Sequence, residues 1–285
     1  MTAMLSRKTQ KTLFFSDEEA VLWETFSENS KLVRSSRCET DMHEQERLIT
    51  LNESLPFEGF PVVPLPTRLP ALDMPLRKAI ESRVSLREMI LQPMSLMHCG
   101  ALLHFGYGVK RAGGGLFGRS FRVVPSAGAL YPLEIFVHAK AVEGLTQGLY
   151  HYNPPKHHLR LLKIGDLSEQ ISEALVQNAI PFRASVIVFI AAMFERTVIK
   201  YGNRGYRFVM LEAGHVAQNI NLVSESLGLG CLNIGGFFDH DIDRLLGLDG
   251  LGQTSIYMIA VGGHRHSHSL HSRRRVRRTQ HVNTD

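Results

Sequence analysis

Cysteine is scarce in this chain: 285 residues hold three, Cys38, Cys99 and Cys231, far apart in the sequence. An odd, dispersed set supports neither a disulfide framework nor a zinc knuckle, so no metal site is expected and a reducing cytoplasm is the expected compartment. Long apolar runs are also missing. The longest, Val186 to Phe194, falls well short of the roughly 20 residues that a bilayer-spanning helix needs, and no membrane association is expected. The opening MTAMLSRKTQKTLFF has no apolar stretch followed by a small-residue cleavage site, so no secretory signal is expected. There is no GxGxxG fingerprint or P-loop to support a dinucleotide fold, and no GxSxG elbow or Cys–His signature. No internal repeat is visible.

A large excess of one charge is absent too, although the net charge of +5 suggests otherwise. Residues 264–285 hold Arg265, Arg273, Arg274, Arg275, Arg277 and Arg278 against the single acid Asp285, and removing them leaves equal numbers of basic and acidic residues. A nucleic-acid-binding domain should carry its basic face on the fold itself, so no nucleic-acid partner is expected. The tail reads as a solvated, disordered end that is able to touch acidic partners.

What is present is ample apolar material, 44% of residues, enough for a packed core. Residues 1–75 read as an N-terminal helix, capped by Ser16 and Glu19, followed by an extended Pro-rich arm. The main domain is expected at 76–265 and the basic tail at 266–285. Helical spacing marks Pro75 to Arg83, a segment capped by Ser95, one around Leu167 to Leu175, and a long helix from Tyr206 to Leu227 stopped by Gly228. Strand patterns cover Phe121–Val124, Leu133–His138, Leu149–Tyr152, Leu159–Leu162, Ser185–Ala192, Cys231–Ile234 and Ser255–Val261, with a hairpin turn at Asn153–Lys156. Strands in the middle with irregularly interleaved helices indicate an α+β fold.

Several segments could carry chemistry. Lys200 and Tyr201 precede a turn bounded by Gly202 and Gly205, and read as a loop ahead of the long helix. Lysine and tyrosine both suit proton transfer when positioned; taken alone, the pair reads more simply as a surface lysine beside a core tyrosine. Arg83, Ser85 and Arg87 alternate, so an extended backbone would turn two guanidinium groups and a hydroxyl to one side, as a phosphate monoester requires. An ordinary charged face is the plainer alternative. The small residues of Pro125-Ser126-Ala127-Gly128 would let a flat ligand approach the backbone, or simply make a tight loop. Gly235-Gly236 after a strand would expose amides to a ring nitrogen or an anion, or make a turn. On the long helix Glu212, His215 and Asn219 share a polar stripe, which suggests an interface with another subunit or an ordered loop.

Taken in order, these segments resemble the FMN-dependent nitroreductase superfamily, and within it the SagB/ThcOx-type dehydrogenases, the azoline oxidases. PSAGALYPLE is similar to that family's isoalloxazine loop and Arg-x-Ser-x-Arg to its phosphate site. GLYHY, KYGNRGYRF, LEAGHVAQN, IGGF and LLGLDG follow in the family's order, and Phe26-Ser-Glu-Asn-Ser-Lys31 is similar to the branch's N-terminal segment. The likeness runs almost continuously from Arg83 to Gly262.

This resemblance implies a mostly antiparallel central sheet flanked by helices, assembled as an intertwined homodimer with FMN at the subunit interface. It implies that Arg83, Ser85, Arg87 and Arg265 hold the phosphate, that Pro125, Ser126, Ala127 and Gly128 line the ring, and that the amides of Gly235 and Gly236 approach N5 and O4. Lys200 and Tyr201 fall at the branch's catalytic Lys-Tyr pair. The implied reaction is oxidation of thiazoline or oxazoline rings of a modified precursor peptide to azoles, with a cyclodehydratase as a possible partner enzyme. The alternatives are an NAD(P)H-dependent nitro or quinone reductase of the same fold, and a non-catalytic subunit of a peptide-modifying complex. The chain departs from the family at Val84, where many members carry a second arginine, and in its Arg-rich tail.

Overall fold

The computed structural model describes residues 22–32, 51, 53–114 and 118–264. The Ser16–Glu19 capping signature, Cys38, Arg265 and the basic tail lie outside the described residues. The elements in chain order are α1 (Leu22–Asn29), β1 (Val62–Pro64), α2 (Leu76–Ser82), β2 (Met94–Ser95), α3 (Leu96–Tyr107), β3 (Val109–Arg111), β4 (Phe121–Arg122), β5 (Leu133–Ala139), β6 (Val142–Glu143), β7 (Gly148–Asn153), β8 (His158–Ile164), α4 (Ser168–Glu173), α5 (Ile180–Arg183), β9 (Val186–Met193), α6 (Glu195–Tyr201), α7 (Asn203–Ser226), β10 (Gly230–Ile234), α8 (Asp239–Leu246) and β11 (Gln253–Gly262).

The apolar run at 186–193 becomes β9, near the middle of a seven-stranded sheet ordered β1-β8-β7-β5-β9-β11-β10. Every pairing in that sheet is antiparallel. Successive side chains of a strand point to opposite faces. Val186, Val188, Ile190 and Ala192 therefore pack with Leu102 and Leu103 of α3 and with Val209, Val216 and Ile220 of α7. Ile187, Phe189 and Ala191 pack on the other side with Ile171 of α4, Ile180 of α5 and Ile242 of α8. A central strand covered on both faces has no use for polar positions, which accounts for its unbroken run. Each such side chain contributes about 1.5–3 kcal/mol by leaving water.

Local signals decide several boundaries. The Ser95 hydroxyl accepts the His98 N–H at 3.1 Å, capping α3 as its position in the sequence leads one to expect. α7 ends ahead of Gly228, whose φ of 72° suits a residue without a Cβ. The hairpin between β7 and β8 is tied by Lys156 N–H to Asn153 Oδ1 at 3.0 Å. The Pro-rich arm differs from a segment merely laid over the surface: β1 pairs with β8 as the edge strand. Proline is tolerated there, at the sheet's margin. Three short helices, α5, α6 and α8, have no counterpart in the sequence reading.

α6 and α7 meet at a tight corner. Gly202 sits at φ 54°, ψ −144° between them, a conformation open to glycine. A Cβ on Gly205 would stand 3.0 Å from Val198 N, Val198 Cα and Thr197 C, all backbone atoms that cannot swing away. Gly205→Ala should therefore destabilise the protein by about 1–3 kcal/mol through overpacking, offset in part by alanine's better helix propensity. Urea unfolding would check this; an unchanged or higher midpoint would mean that the corner is not close-packed.

Candidate functional site

The loop between β4 and β5 is strained and heavily pinned. Gly128 has φ 63°, and Ala129 and Tyr131 adopt φ 53° and 48°. Non-glycine residues in this region cost about 1–3 kcal/mol each and persist where surrounding contacts over-determine them. Here Ser126 Oγ accepts the Tyr131 N–H at 2.9 Å, and Tyr131 Oη accepts the Arg122 N–H at 2.9 Å. The Arg122 guanidinium lies 4.1 Å over the Tyr107 ring and 5.1 Å over that of Tyr131. Pro125 and Gly128 remain exposed at the rim, with Ser126 and Ala127 half-buried.

Lys200 and Tyr201 are not on a loop. They form the last turn of α6, half-buried, and the helix presents both to Gly128. A Cβ placed on Gly128 would lie 2.7 Å from Tyr201 Oη and 3.3 Å from Lys200 Nζ. Any larger residue at 128 would press on both polar tips. The Tyr201 ring meets Phe208 edge-on at 5.1 Å. Phe208 in turn lines an open groove of about 480 Å³ with Phe26, Arg204, Tyr206, Arg207, Met210 and Leu211. The N-terminal helix α1 docks beside this groove: Arg207 Nε donates to Ser30 Oγ at 2.8 Å, and the Phe26 and Tyr206 rings meet edge-on at 4.9 Å.

A buried carboxylate sets the position of α6. Glu134, 1% exposed, takes a hydrogen bond from Arg196 Nη2 in the first turn of α6. It also bonds His151 Nε2 at 2.6 Å and accepts the Leu55 N–H at 2.9 Å and the Ser54 hydroxyl at 3.3 Å. Arg196 Nη1 donates to Tyr131 O at 3.4 Å, joining α6 to the loop directly. Burial by itself raises the Glu134 carboxyl pKa; the Arg196 guanidinium and the His151 contact overcome that and hold it at about 2. Composition and spacing give no sign of this cluster, because its members come from four distant segments.

The Arg83–Arg87 segment runs alongside β10. Ser85 bridges Cys231 in parallel, and Leu86 N–H donates to Cys231 O at 2.9 Å. Arg83 is half-buried, and Ser85 and Arg87 are exposed. Gly235 and Gly236, also exposed, follow the end of the same strand. The loop at 125–131 lies elsewhere. Through the register, Cys231 is level with Val261, Val186 and Ala139, whereas the loop enters β5 at Leu133 beside Ala192. That separates the loop from the Arg83–Arg87 segment by three strands across the sheet and roughly 20 Å along it. Gly235 and Gly236, just beyond Ile234, which is level with Met258, Phe189 and Phe136, lie three strands across but nearly level with the loop's entry to β5. Arg265 cannot be assigned to either group, because it lies outside the described residues.

The polar stripe on α7 does not act as one surface. His215 is exposed, and the Asn219 amide donates to Phe105 O of the same chain at 3.1 Å. Glu212 is 2% exposed and turns inward, accepting the Tyr107 hydroxyl at 2.7 Å. Burial, the largest influence, lifts its carboxyl pKa to about 7, against the Ser126 and Tyr107 hydrogen bonds and the Arg122 and Arg196 charges. Spacings of three and four identify a stripe but not which of its members face the helix's own core.

Comparison with known proteins gives a consistent family. Residues 80–263 match the model of the nitroreductase family. A nitroreductase-type protein, MJ1384 of Methanocaldococcus jannaschii, is 37% identical over 174 residues, 61% of this chain and 85% of that one. The microcin B17-processing protein McbC of Escherichia coli is 33% identical over 144 residues, 45% of this chain, which spans 49% of the length of McbC. Among solved structures, a nitroreductase-type protein of Anabaena variabilis aligns with TM-score 0.68 at 22% identity, over 86% of this chain and 47% of that one. A chain of the E. coli microcin synthetase McbBCD complex, with truncated pro-MccB17 bound, aligns with TM-score 0.54 at 19% identity, over 90% and 99%. At these identities the two structures establish the shared fold.

The Glu134 cluster makes a prediction of its own. Because the folded carboxyl titrates at about 2 instead of 4.5, its contribution is complete above pH 4.5 and is lost as pH falls toward 2. Glu134→Ala should cost about 3–5 kcal/mol at neutral pH by leaving Arg196 buried and unpaired. Glu134→Gln should flatten the acid limb of stability between pH 4.5 and 2. Urea midpoints across that range would check both, and an acid limb unchanged in the Gln variant would sink the assignment.

Proposed function

The chain belongs to the nitroreductase family, and from that premise we propose that it is an FMN-dependent dehydrogenase oxidising azoline rings of a modified peptide to azoles. The observation that carries this reading is the meeting of Lys200 Nζ and Tyr201 Oη at Gly128, which puts two proton-active groups on the rim of a small-residue loop. The residues fit FMN. Arg83, Ser85 and Arg87 offer the donor set that suits a phosphate monoester. Gly128, having no Cβ, lets Tyr201 Oη and Lys200 Nζ come close to the loop backbone, and the exposed Gly235-Gly236 backbone offers amides to a ring edge. When bound, FMN supplies the two-electron acceptor at N5, with oxygen as the final oxidant.

The protein's own part is proton handling and orientation. Conversion of an azoline to an azole removes one hydride and one proton. Lys200 or Tyr201 takes the proton, which requires the base within about 3 Å of it. Fixing α6 at Arg196 and at the Gly202–Gly205 corner keeps the two tips in register with the loop, so the base is positioned before substrate arrives. Similarity to McbC, a peptide-processing protein, supports a peptide substrate, and the fold shared with a chain of the peptide-bound microcin synthetase supports work beside partner enzymes, for which we propose a cyclodehydratase.

We also propose a homodimer. The phosphate-type segment and the ring-type loop of one chain stand three strands and roughly 20 Å apart, farther than the phosphate and ring of one FMN. A second copy bringing its loop to the first copy's Arg83–Arg87 segment would complete the site. α2 turns Leu76 and Ile80 outward, with exposed Val84 just beyond, an apolar row that a partner subunit would cover.

Similarity to MJ1384, a nitroreductase-type protein, favours one rival: reduction of nitro or quinone compounds by NAD(P)H, with Lys200 and Tyr201 merely lining the pocket. Rapid bleaching of bound flavin by NAD(P)H in a stopped-flow cell would favour it. The main test is separate Lys200→Ala and Tyr201→Phe variants on a synthetic thiazoline-containing peptide, with product read by the mass loss of two hydrogens and FMN content by absorbance. The variant lacking the base should lose about 10²–10⁴-fold in turnover with its FMN content unchanged; full turnover in both would refute the assignment.

A further inference from the structure

The contact face of α1 is only half used. Leu22, Trp23, Phe26, Ser27 and Ser30 lie at spacings of three and four and share one side of the helix. The C-terminal part of that face is tied to α7. Arg207 Nε donates to Ser30 Oγ at 2.8 Å and its Nη2 to Ser27 O at 2.5 Å, while Arg204 Nη1 donates to Ser30 O at 3.2 Å. The N-terminal part is open, with Leu22 67% and Trp23 65% exposed. The wall that α7 gives to the adjoining groove is similar. Arg204, Phe208 and Leu211 recur there at spacings of four and three, and Leu211 is 60% exposed. Apolar surface that stays exposed around a groove and is rimmed by charge fits a binding site.

Charge and position decide what fits there. Arg204 and Arg207 both line the groove, and neither has a carboxylate partner among the described residues; their acceptors are the Ser27 and Ser30 oxygens. A guanidinium carries five N–H donors, so both arginines keep donors for a further acceptor, and Arg204 uses one alone. The rings of Phe208 and Phe26 lie 5.9 and 5.8 Å from the two guanidinium groups and steady them by cation–π contact. A carboxylate is the complementary group. The Arg-rich run at 273–278 has the wrong charge for this groove. Phe208 fixes the position: it walls the groove and also meets the Tyr201 ring edge-on at 5.1 Å. The groove therefore begins one side chain away from Tyr201.

On the peptide-oxidising reading above, on which this rests, we propose that the groove seats the stretch of substrate peptide next to the reacting ring and selects a carboxylate side chain there. An extended peptide advances about 3.3 Å per residue, so with the ring at Tyr201 a glutamate about two or three residues away reaches Arg204. Successive side chains point to opposite sides. The residue beside the glutamate therefore turns to the α1 wall, where Phe26 suits an apolar group.

Synthetic thiazoline peptides carrying Glu, Gln or Lys about two or three residues from the ring, on either side of it and next to leucine, test this with the FMN-loaded full chain. In one placement KM for the Glu peptide should lie about tenfold below that of its Gln counterpart, with kcat alike for the two, as expected of a hydrogen bond to a charged group. The Lys peptide should be weaker than both. The Gln-to-Glu ratio of KM should fall to near one in Arg204→Gln, and should shrink as salt is raised. A ratio taken within one variant cancels any general loss of active protein. Leu211→Asp, at an exposed position that folding does not need, sets a carboxylate four residues from Arg207 on the same face and should abolish the same preference. Equal KM values for Glu and Gln peptides in every placement, or a preference that survives either variant, overturns the groove proposal alone. Loss of a dimer in Leu211→Asp, read by sedimentation, makes a second copy the occupant and also overturns it. No turnover of any thiazoline peptide by FMN-loaded protein overturns the peptide-oxidising reading and takes this inference with it.

Discussion

The contact between Arg196 and Glu134 governs the geometry of everything around it. One carboxylate with almost no exposure collects the N-terminal arm through Ser54 and Leu55, β7 through His151 and the first turn of α6 through Arg196. A buried carboxylate without partners would be costly, and a buried guanidinium equally so. Each is tolerable because the other is there, which fixes their relative positions more narrowly than apolar packing would. α6 spans two turns and has no side-chain cap at Phe194, so its direction derives from this ion pair at one end and the glycine corner at the other. The placement of Lys200 and Tyr201 against Gly128 follows from those two fixed points.

A second buried carboxylate stands nearby with the opposite behaviour. Glu134 has a guanidinium in direct hydrogen-bond contact and is held at about 2; Glu212 has hydroxyls in contact and guanidinium groups further off, and is lifted to about 7. Direct contact with a cation favours the charged form by more than burial disfavours it. Two hydroxyl donors do not. One chain thus holds one buried glutamate below the ordinary carboxylate range and another above it, using the same side chain in two environments. The first holds α6, the second holds the loop that α6 faces, and Arg122 and Arg196 act on both.

The parts of the structure legible in the sequence are those whose cause is local. The continuous apolar run of β9, the three-and-four spacing of α7, the Ser95 cap and the Asn153–Lys156 turn each follow from side chains close together in the chain. The loop at 125–131 was visible through its small residues. α6 was not visible, because seven residues with no polar cap carry no period and derive their helicity from Arg196 and its distant partner. β1 was hidden by proline, which reads as an extended arm and is equally at home on a sheet edge. The polar stripe on α7 predicts contact with another subunit or an ordered loop, but its spacing gives the members' phase and not the chemistry they meet. Only the fold reveals that Tyr107 and Ser126 converge there.

On the proposed reading, affinity for FMN is divided between two corners of the sheet. Glu134, Arg196, Tyr107, Glu212 and Ser126 all belong to the loop end of the sheet, and Arg83, Ser85 and Arg87 belong to the opposite corner. In the proposed dimer, one flavin would take its phosphate contacts from one chain and the contacts of the 125–128 loop from the other. Within a chain, changes at the two corners share no side-chain partner and lie well beyond the 7–10 Å over which substitutions usually couple. In the proposed dimer, any coupling between them passes through the subunit interface, where the exposed apolar row of α2 lies close to the Arg83–Arg87 segment. The order of the loop is therefore an intrinsic property of each fold, set by buried polar contacts.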